Sequence, residues 1–188
     1  MFDVNQFVES CKGKPASAVK ELLAEALRDP ESIKQALAAI GKDRQVGEGN
    51  IGDLVIFQSP DLTVLKAAVP ARFKSPPHNH TMWAVIGVYD GQENNAFYRR
   101  SGEGLETAGG KELQVADVLV LGADAIHAIE NPLERTSYAI HIYGGNIPNA
   151  QRSMWNPFTL KEEPLEYQSM MRYARQLAGK EVSDAETT

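Results

Sequence analysis

Three of the four histidines in this 188-residue chain stand at spacings that suit a metal site. His78 and His80 follow a proline pair that stiffens the chain before them, and His127 comes later in the sequence. Because residues i and i+2 of a β-strand point to the same face, His78 and His80 can offer two imidazoles to one ion. His127 lies in a second strand-like stretch and could complete the set; the alternative is three ordinary surface or core histidines. This pattern predicts a metal enzyme, with iron as the expected metal, on a small β-barrel.

Length and composition predict one domain, residues 1–188, with a core that needs no disulfide. The net charge of −6 argues against a nucleic-acid partner. No apolar run is long enough for a membrane span, and the N-terminus lacks the pattern of a signal peptide. The single Cys11 fits a reducing compartment, so we expect a cytoplasmic protein. We interpret Cys11 itself as an ordinary helix residue rather than a catalytic thiol.

Periodicity divides the chain into three segments. Residues 1–49 predict a helical segment, in which apolar residues repeat at helical spacing. Within it Asp29 and Pro30 mark a helix start, and the helix that follows is predicted to carry Ile40 and to end at Gly41. Residues 50–148 predict a β-barrel, and residues 149–188 predict a C-terminal helix followed by a polar, disordered tail. The helical stripes are Val19, Leu22, Leu23, Ala26 and Leu27 in the first segment, and Tyr167, Met170, Met171, Ala174 and Leu177 in the last.

The middle segment contains short apolar runs separated by Gly, Pro and Asp turns. Such spacing is typical of a β-sandwich or barrel. The predicted strands cover residues 54–57, 62–69, 82–89, 95–100, 115–121 and 137–143.

The order of these motifs resembles the cupins. In that family a His-x-His pair enters a strand, and a later strand–turn unit carries His-x3-Asn, here His127 and Asn131. The resemblance covers about residues 50–148, and it implies a mainly β fold: a double-stranded β-helix, or jelly-roll barrel, with N-terminal helices, a C-terminal helix and a metal inside the barrel. The chain departs from the family at Arg72, where the first motif begins with Gly. It departs again where Gly122 and Asp124 replace the Pro and Gly of the second motif.

A further departure bears on the chemistry. Ala84 stands where the first cupin motif usually has a Glu ligand. The ligand set left is three neutral imidazoles, as in the thiol dioxygenases of the cysteine dioxygenase group and in some diketone-cleaving cupins. Three neutral ligands leave positions open on Fe(II) for a bidentate substrate and O2, and they favour an anionic substrate such as a thiolate or enolate.

The fourth histidine strengthens this resemblance. Cysteine-type thiol dioxygenases carry a Ser-x-His-x-Tyr element after the third ligand, and the matching residues here are Ala139, His141 and Tyr143. The resemblance implies that His141 orients the Tyr143 hydroxyl toward an open metal position, where it bonds to substrate or oxygen or donates a proton. The alternative is a Tyr143 packed in the barrel with its hydroxyl on a backbone carbonyl.

The substrate pocket is predicted less directly. Trp83 and Met82 follow the ligands and could line the pocket or pack in the core. Glu130 could orient a ligand histidine or face solvent. The cysteine that is crosslinked in animal cysteine dioxygenases would fall near Val85, which cannot form that crosslink. The candidate groups for an anionic part of the substrate, each of which could instead be a solvated or strand-edge side chain, are Gln58, Lys66, Arg72, Arg99 and Arg100.

These residues lead to one main hypothesis and two alternatives. The main hypothesis is a three-His non-haem Fe(II) dioxygenase that adds both atoms of O2 to a small thiol and gives a sulfinate. One alternative is a three-His dioxygenase that cleaves a C–C bond of a diketone-like substrate. The other is a non-catalytic cupin that holds zinc, nickel or no metal and binds a small ligand. The expected partners are a small molecule and O2, without nucleic acid or membrane, and the oligomeric state stays open, with a homodimer as one option.

Overall fold

The computed structural model describes residues 1–41, 44–102 and 104–179. Over these residues the helices are α1 (Val4–Cys11), α2 (Ala16–Ala26), α3 (Pro30–Ala38) and α4 (Tyr167–Leu177). The strands are β1 (Val55–Gln58), β2 (Thr63–Val69), β3 (His78–Asn79), β4 (Ala84–Asp90), β5 (Gln92–Ser101), β6 (Gly104–Gln114), β7 (Val118–Leu121), β8 (Ile126–Glu130), β9 (Ser137–Tyr143), β10 (Ser153–Trp155) and β11 (Glu162–Pro164). The secondary structure is therefore mainly β, as the sequence predicts.

Within the described residues the strands form two antiparallel sheets. Sheet I has the order β1-β2-β9-β4-β7, and sheet II has the order β11-β10-β3-β8-β5-β6. The strands from β2 to β9 contribute four members to each sheet, and the chain passes from one sheet to the other at most steps. Two facing antiparallel sheets wound in this way form a jelly roll. The predicted fold class, the double-stranded β-helix of the cupins, is confirmed.

Helices α1 to α3 cover the outer face of sheet I. The apolar stripe of α2 is buried, with Leu23 and Leu27 packed in one cluster with Val85 of β4 and Ile142 of β9. Helix α2 can approach β4 closely because residue 87 is glycine. A Cβ at Gly87 would lie 2.6 Å from a Leu23 methyl carbon and 2.7 Å from one of Leu27. This layer closes one face of sheet I and leaves the other face for the barrel interior.

The end of α3 differs from the prediction. The helix starts as expected, because Asp29 Oδ1 accepts a hydrogen bond from the Ser32 backbone N–H at 3.1 Å and Pro30 follows at the first position. It ends at Ala38, before the predicted Ile40 and Gly41. Ile40 is 37% exposed, so burial does not extend the helix by another turn. The prediction overestimated the length because it treated Ile40 as part of the apolar stripe.

The barrel interior lies between the two sheets. In β2, Leu65 and Ala67 belong to the interior cluster, and Val64 packs under the helices. Strand β6 was not predicted, because its Gly-rich and charged sequence is exposed along most of its length and lacks apolar alternation. Met82 and Val115 fall outside the strands to which the sequence assigned them, since β4 begins at Ala84 and β7 at Val118.

The C-terminal segment returns to the barrel. Strands β10 and β11 extend sheet II beyond β3. Helix α4 follows, and four of its predicted apolar residues, Tyr167, Met170, Met171 and Ala174, pack against the interior cluster. The predicted polar tail, residues 181–188, lies outside the described residues. Among the helices described here, none combines the length and apolar character needed to cross a bilayer.

Candidate metal centre

Strand pairing brings the three predicted ligands together. His78 on β3 lies opposite His127 on β8 in the antiparallel register. Strand β3 ends at Asn79, so His80 lies just beyond the strand rather than within it as predicted, and the next residue, Thr81, turns the chain with a φ of 58°. His80 still points inward, and the ligand nitrogens of the three histidines all lie within 4.8 Å of one another.

The hydrogen bonds of two rings direct their free nitrogens toward a common centre. Nδ1 of His78 lies 3.0 Å from the Pro76 carbonyl, and Nδ1 of His127 lies 2.7 Å from Asn95 Oδ1. An oxygen acceptor at Nδ1 places the ring proton there and leaves the lone pair on Nε2. Nε2 of His127 is 3.2 Å from Nε2 of His80, a distance at which two nitrogens need a shared cation or proton between them.

Burial keeps these imidazoles neutral, which is the form that binds metals. Desolvation lowers the pKa of His78 to about 4, and it lowers the pKa of His80 and of His127 well below the ordinary value of 6.5. Ala84, at the position of the usual carboxylate ligand, is fully buried in β4. The residues therefore fit a divalent ion held by three neutral nitrogens, a donor set that suits Fe, Zn, Ni and Cu.

The predicted pair of His141 and Tyr143 is also in contact. The Tyr143 hydroxyl lies 3.2 Å from Nδ1 of His141, and its ring packs edge-on against His80, with 4.9 Å between the ring centroids. Both side chains are buried, and burial raises the pKa of Tyr143 well above its ordinary value. The hydroxyl is therefore protonated at neutral pH, and its partner is a side chain rather than the backbone carbonyl of the alternative interpretation.

Sequence reasoning missed two polar residues behind this pair. Glu93 Oε2 lies 3.0 Å from Nε2 of His141, and Asn95 Nδ2 donates to Glu93 Oε1 at 3.1 Å. Both residues are on β5, where the i, i+2 spacing directs them to the barrel interior, and they are 1% and 2% exposed. The only signal in the sequence was this spacing, and the predicted strand began at Asn95 and so left out Glu93.

A third missed residue is Arg152. Strand β10 pairs with β3 so that Met154 lies opposite His78, and continuing this antiparallel register places Arg152 opposite His80. Its Nε atom is buried without a hydrogen-bond partner among the described residues. Burial lowers the pKa of Arg152, yet a guanidinium remains a cation at neutral pH. An unsatisfied buried donor of this kind is costly, and it needs an explanation such as a bound water, a ligand or a functional role.

The histidines, Tyr143 and Arg152 line one cavity of about 70 Å3. Its other walls are apolar. Part of the wall belongs to the barrel, with Phe73 and Ile129 among its residues, and part comes from α4 and from the segment that precedes β1. The Tyr167 hydroxyl of α4 accepts a hydrogen bond from the Gly47 backbone N–H at 3.0 Å and so ties these two covering segments together. This volume is well below the ~300–1,000 Å3 of ordinary ligand pockets, so only a very small molecule would fit without movement of the walls.

Four of the residues predicted for the substrate pocket, Met82, Trp83, Gln58 and Arg99, lie elsewhere. Trp83 packs against Gly144, where an added Cβ would lie 2.1 Å from the indole, and Met82 packs against Gly145. Gln58 is exposed and donates to Asn146 Oδ1 at 2.9 Å. Arg99 is exposed and pairs with Glu106. None of the four lines the described cavity, because Met82 and Trp83 precede β4 and the other two side chains point outward. We do not retain them as pocket residues.

The other candidate groups are held by partners outside the cavity. Lys66 is buried under the helices and donates to the Leu37 carbonyl at 3.4 Å. Glu130 pairs with Lys74 at 3.1 Å and does not orient a ligand histidine. Two further ion pairs on the exterior are Arg72–Glu134 and Arg100–Glu162.

Asn131 and Cys11 have structural environments. The Asn131 amide donates to three backbone carbonyls, those of residues 69, 70 and 135, at 2.8–3.0 Å. It therefore fixes the turn after β8. Burial raises the pKa of the Cys11 thiol to about 11, which fits the interpretation of Cys11 as an unreactive helix residue.

Comparison with known proteins gives likenesses of fold. No protein-family model matches the chain. One similar solved structure is a conserved protein with a double-stranded β-helix domain from Klebsiella pneumoniae (13% identity, 53% of this chain and 75% of that chain, TM-score 0.42). A second is the cupin domain of Schizosaccharomyces pombe Cnp3 (11% identity, 49% of this chain and 62% of that chain, TM-score 0.42). A third is the hydroquinone 1,2-dioxygenase PnpCD (16% identity, 50% of this chain and 64% of that chain, TM-score 0.40). At such identities the likeness concerns the fold alone, and the function of this chain has to be inferred from its own residues.

Proposed function

We propose that this protein is a three-His non-haem Fe(II) dioxygenase that adds O2 to a small thiol carrying a second anionic group. The observation that carries the proposal is the guanidinium of Arg152, which has an unsatisfied buried Nε in the same cavity as His78, His80 and His127. A substrate that gives one anionic group to the metal and another to Arg152 would satisfy both parts of the cavity.

The three imidazole groups would hold the ion through their Nε2 atoms. Bound Fe(II) would supply a coordination site for the thiolate and the electrons with which O2 is activated. The remaining roles belong to the chain. Arg152 binds and orients the anionic end of the substrate, and the apolar residues of the barrel and α4 exclude water. Fixing both ends of a small molecule orients its sulfur toward the metal site.

Tyr143 and His141 would act beside the bound substrate. The Tyr143 hydroxyl lines the cavity and is held by His141 at 3.2 Å. We infer that it donates or accepts a hydrogen bond at the sulfur or at an oxygen atom being added to it. The net reaction converts a thiol and O2 into a sulfinate and a proton. The O–O bond breaks, two S–O bonds form, and sulfur supplies all the electrons that reduce O2, so no external reductant is required.

A thiol is favoured over a diketone by charge. Three neutral ligands leave the ion with its full charge, and Arg152 adds another positive charge to the cavity. A mercaptocarboxylate can offer two negative charges at separate points, whereas a diketone enolate offers one that is shared between its oxygens. Diketone cleavage and ligand binding without catalysis are therefore the alternatives that the experiment must distinguish.

The test combines metal analysis with O2 uptake. Protein reconstituted anaerobically with Fe(II) is assayed in an oxygen electrode with cysteine, simple mercaptocarboxylic acids, 2-aminoethanethiol and 1,3-diketones. Stoichiometric iron and uptake that depends on a mercaptocarboxylate, with a sulfinate as product, are expected. Uptake with diketones alone would move the assignment to C–C cleavage. Tightly bound zinc or nickel, and no uptake with any compound after iron loading, would indicate a binding module.

Two variants provide a matched comparison. His127→Ala is expected to lose iron, because only two imidazoles remain. His141→Gln is expected to retain iron and to turn over slowly, because His141 contacts Tyr143 and Glu93 rather than the metal centre. Full iron content in the His127 variant would contradict the assigned ligand set.

A further inference from the structure

Glu93 occupies the middle of a buried hydrogen-bond chain that joins the two halves of the site. On one side it contacts His141, which contacts Tyr143 at 3.2 Å. On the other side it contacts Asn95, whose Oδ1 is 2.7 Å from His127. The chain thus runs from a metal ligand on β8, through β5, across the barrel to β9. We propose that Glu93 is a positioning residue that fixes the ring protons of both His127 and His141.

The direction of each hydrogen bond follows from the carboxylate. A carboxylate only accepts, so Nε2 of His141 and Nδ2 of Asn95 must both donate to Glu93. The Asn95 amide is then oriented with its oxygen toward His127, which must donate from Nδ1. The Nε2 lone pair of His127 consequently faces the metal centre. The orientation of Asn95 is set by Glu93, and that of His127 is set by Asn95.

The same carboxylate fixes the other half of the site. In the neutral form of His141 with its proton on Nε2, Nδ1 is an acceptor, and the Tyr143 hydroxyl donates to it. The Tyr143 oxygen then presents a lone pair to the cavity, where it can accept a hydrogen bond from a substrate group. If the tautomer of His141 were reversed, Nδ1 would donate, and the Tyr143 proton would turn toward the cavity. Glu93 therefore decides whether Tyr143 is an acceptor or a donor there.

A purely structural role does not explain this carboxylate. Glu93 is 1% exposed in the interior of an apolar barrel, where burial of a charge costs more than a well-packed apolar residue. Ala139, which lies on the same strand face as His141, offers no hydroxyl to hold that ring. Glu93 supplies the missing partner from the opposite sheet. The catalytic meaning of this arrangement rests on the proposed function, whereas the tautomers do not.

The tautomers can be measured directly by NMR. Two-bond 1H–15N correlation spectra of 15N-histidine-labelled protein, without metal and loaded with diamagnetic Zn(II), distinguish Nδ1–H from Nε2–H. The chain has four histidines, so assignment is practical. We expect Nε2–H for His141 and Nδ1–H for His127 in the wild-type protein. Nδ1–H for His141, or Nε2–H for His127 in the metal-free protein, would overturn the proposal without any variant.

Glu93→Gln tests whether Glu93 causes these tautomers. A glutamine amide can accept from only one of the two partners, so we expect a second tautomer for His141 or for His127. Loss of an outer hydrogen bond to a metal ligand typically weakens metal binding about 10- to 100-fold, and we expect the lower end for Zn(II) because Glu93 acts through Asn95. In the Fe(II) form we expect kcat to fall more than KM rises, since Arg152 still binds substrate. The matched control is Glu106→Gln, an exposed carboxylate on β6.

The two proposals fail in different ways. Absence of thiol-dependent O2 uptake in the wild-type protein would refute the dioxygenase assignment and leave the tautomers standing. Normal uptake, with the Glu93→Gln spectra, Zn(II) affinity and kcat all equal to those of the Glu106→Gln control, would refute the role of Glu93 alone. Glu93→Asp keeps the charge with a shorter reach. Partial recovery of the wild-type tautomers in that variant, relative to Glu93→Gln, supports the proposal, and no recovery counts against it.

Discussion

Substitution of Arg152 by methionine gives the most discriminating test of the proposed substrate class. Methionine keeps an unbranched side chain of similar length but removes the charge and the hydrogen-bond donors. The three histidines and their orienting contacts do not involve Arg152, so the iron content should equal that of the wild-type protein. The variant therefore separates binding of the substrate anion from binding of the metal.

The magnitude follows from the contact that would be lost. A hydrogen bond to a charged group contributes about 1.5–3 kcal/mol. Its loss corresponds to a fall of roughly 10- to 150-fold in kcat/KM for a mercaptocarboxylate. For 2-aminoethanethiol, which has no carboxylate to offer, we expect kcat/KM to change by less than about threefold. The ratio of the two specificity constants is the quantity to measure.

Stability should change in the opposite direction to activity. Arg152 has a buried Nε without a partner, and an unsatisfied buried donor costs roughly 1–3 kcal/mol. We expect the free energy of unfolding of the substrate-free protein to be unchanged, or to rise by about 1 kcal/mol, in Arg152→Met. Urea unfolding of the metal-free proteins measures this difference.

The control is Arg99→Met. Arg99 is one of the arginines that the sequence offered for the substrate anion, and the structure places it outside the cavity, paired with Glu106. Its substitution should leave both specificity constants unchanged. An equal loss of kcat/KM toward both thiols in Arg152→Met would show that the residue supports the fold of the site rather than a carboxylate. An unchanged ratio would refute the proposed substrate class.

Three further predictions concern the other parts of the site. Tyr143→Phe should retain iron while kcat falls by on the order of 100-fold, the usual size of a lost acid–base contribution, as measured by O2 uptake. Tyr167→Phe removes the hydrogen bond to the Gly47 N–H, worth about 1 kcal/mol, so the Gly47 amide should exchange roughly fivefold faster with deuterium. Equal exchange in the two proteins would show that this bond does not hold the two covering segments together. Acidification should destabilise the metal-free protein. The pKa of His78 is about 4 when folded and 6.5 in its ordinary state, so the unfolded chain binds more protons between these values. Stability should therefore fall as the pH drops through this window, by about 3 kcal/mol at pH 4 from this residue alone, and urea unfolding at pH 7 and pH 4 would detect it.

The inward-facing pair of His78 and His80 could be predicted because its signal is local. His78 and His80 are two residues apart, histidine is rare in this chain, and a strand converts the spacing into a shared face. The pair of His141 and Tyr143 follows from the same rule on β9. A β-sandwich or barrel could be predicted from short apolar runs and turns, and the double-stranded β-helix followed from the resemblance to the cupins. The division of the chain into one domain with three segments stays a prediction.

The remaining residues could not be predicted because their positions depend on strand register. Arg152 lies beyond the barrel strands, and only the pairing of β10 with β3 brings it beside His80. Glu93 and Asn95 reach His141 and His127 from another part of the sequence, and the predicted strand began only at Asn95. Gln58 and Arg99 were chosen by residue type, but the strand geometry directs both to the exterior. A one-residue shift in strand register moves a side chain to the opposite face of the sheet, and no local sequence pattern specified the register of these strands.

The electrostatics of the cavity depend both on residues that could be predicted from the sequence and on residues that could not. Three neutral imidazoles leave a divalent ion uncompensated, and Arg152 increases the positive charge of the cavity. Glu93 offsets part of this positive charge. Both of its carboxylate oxygens bond to His141 and Asn95, so the carboxylate is turned away from the cavity. Under the proposed function, the substrate would supply the remaining negative charge at two separated points of this small cavity. A small thiol with a carboxylate meets each of these conditions. A neutral thiol of the same size would leave the buried Nε of Arg152 without an acceptor, which is the unfavourable state that a carboxylate would relieve.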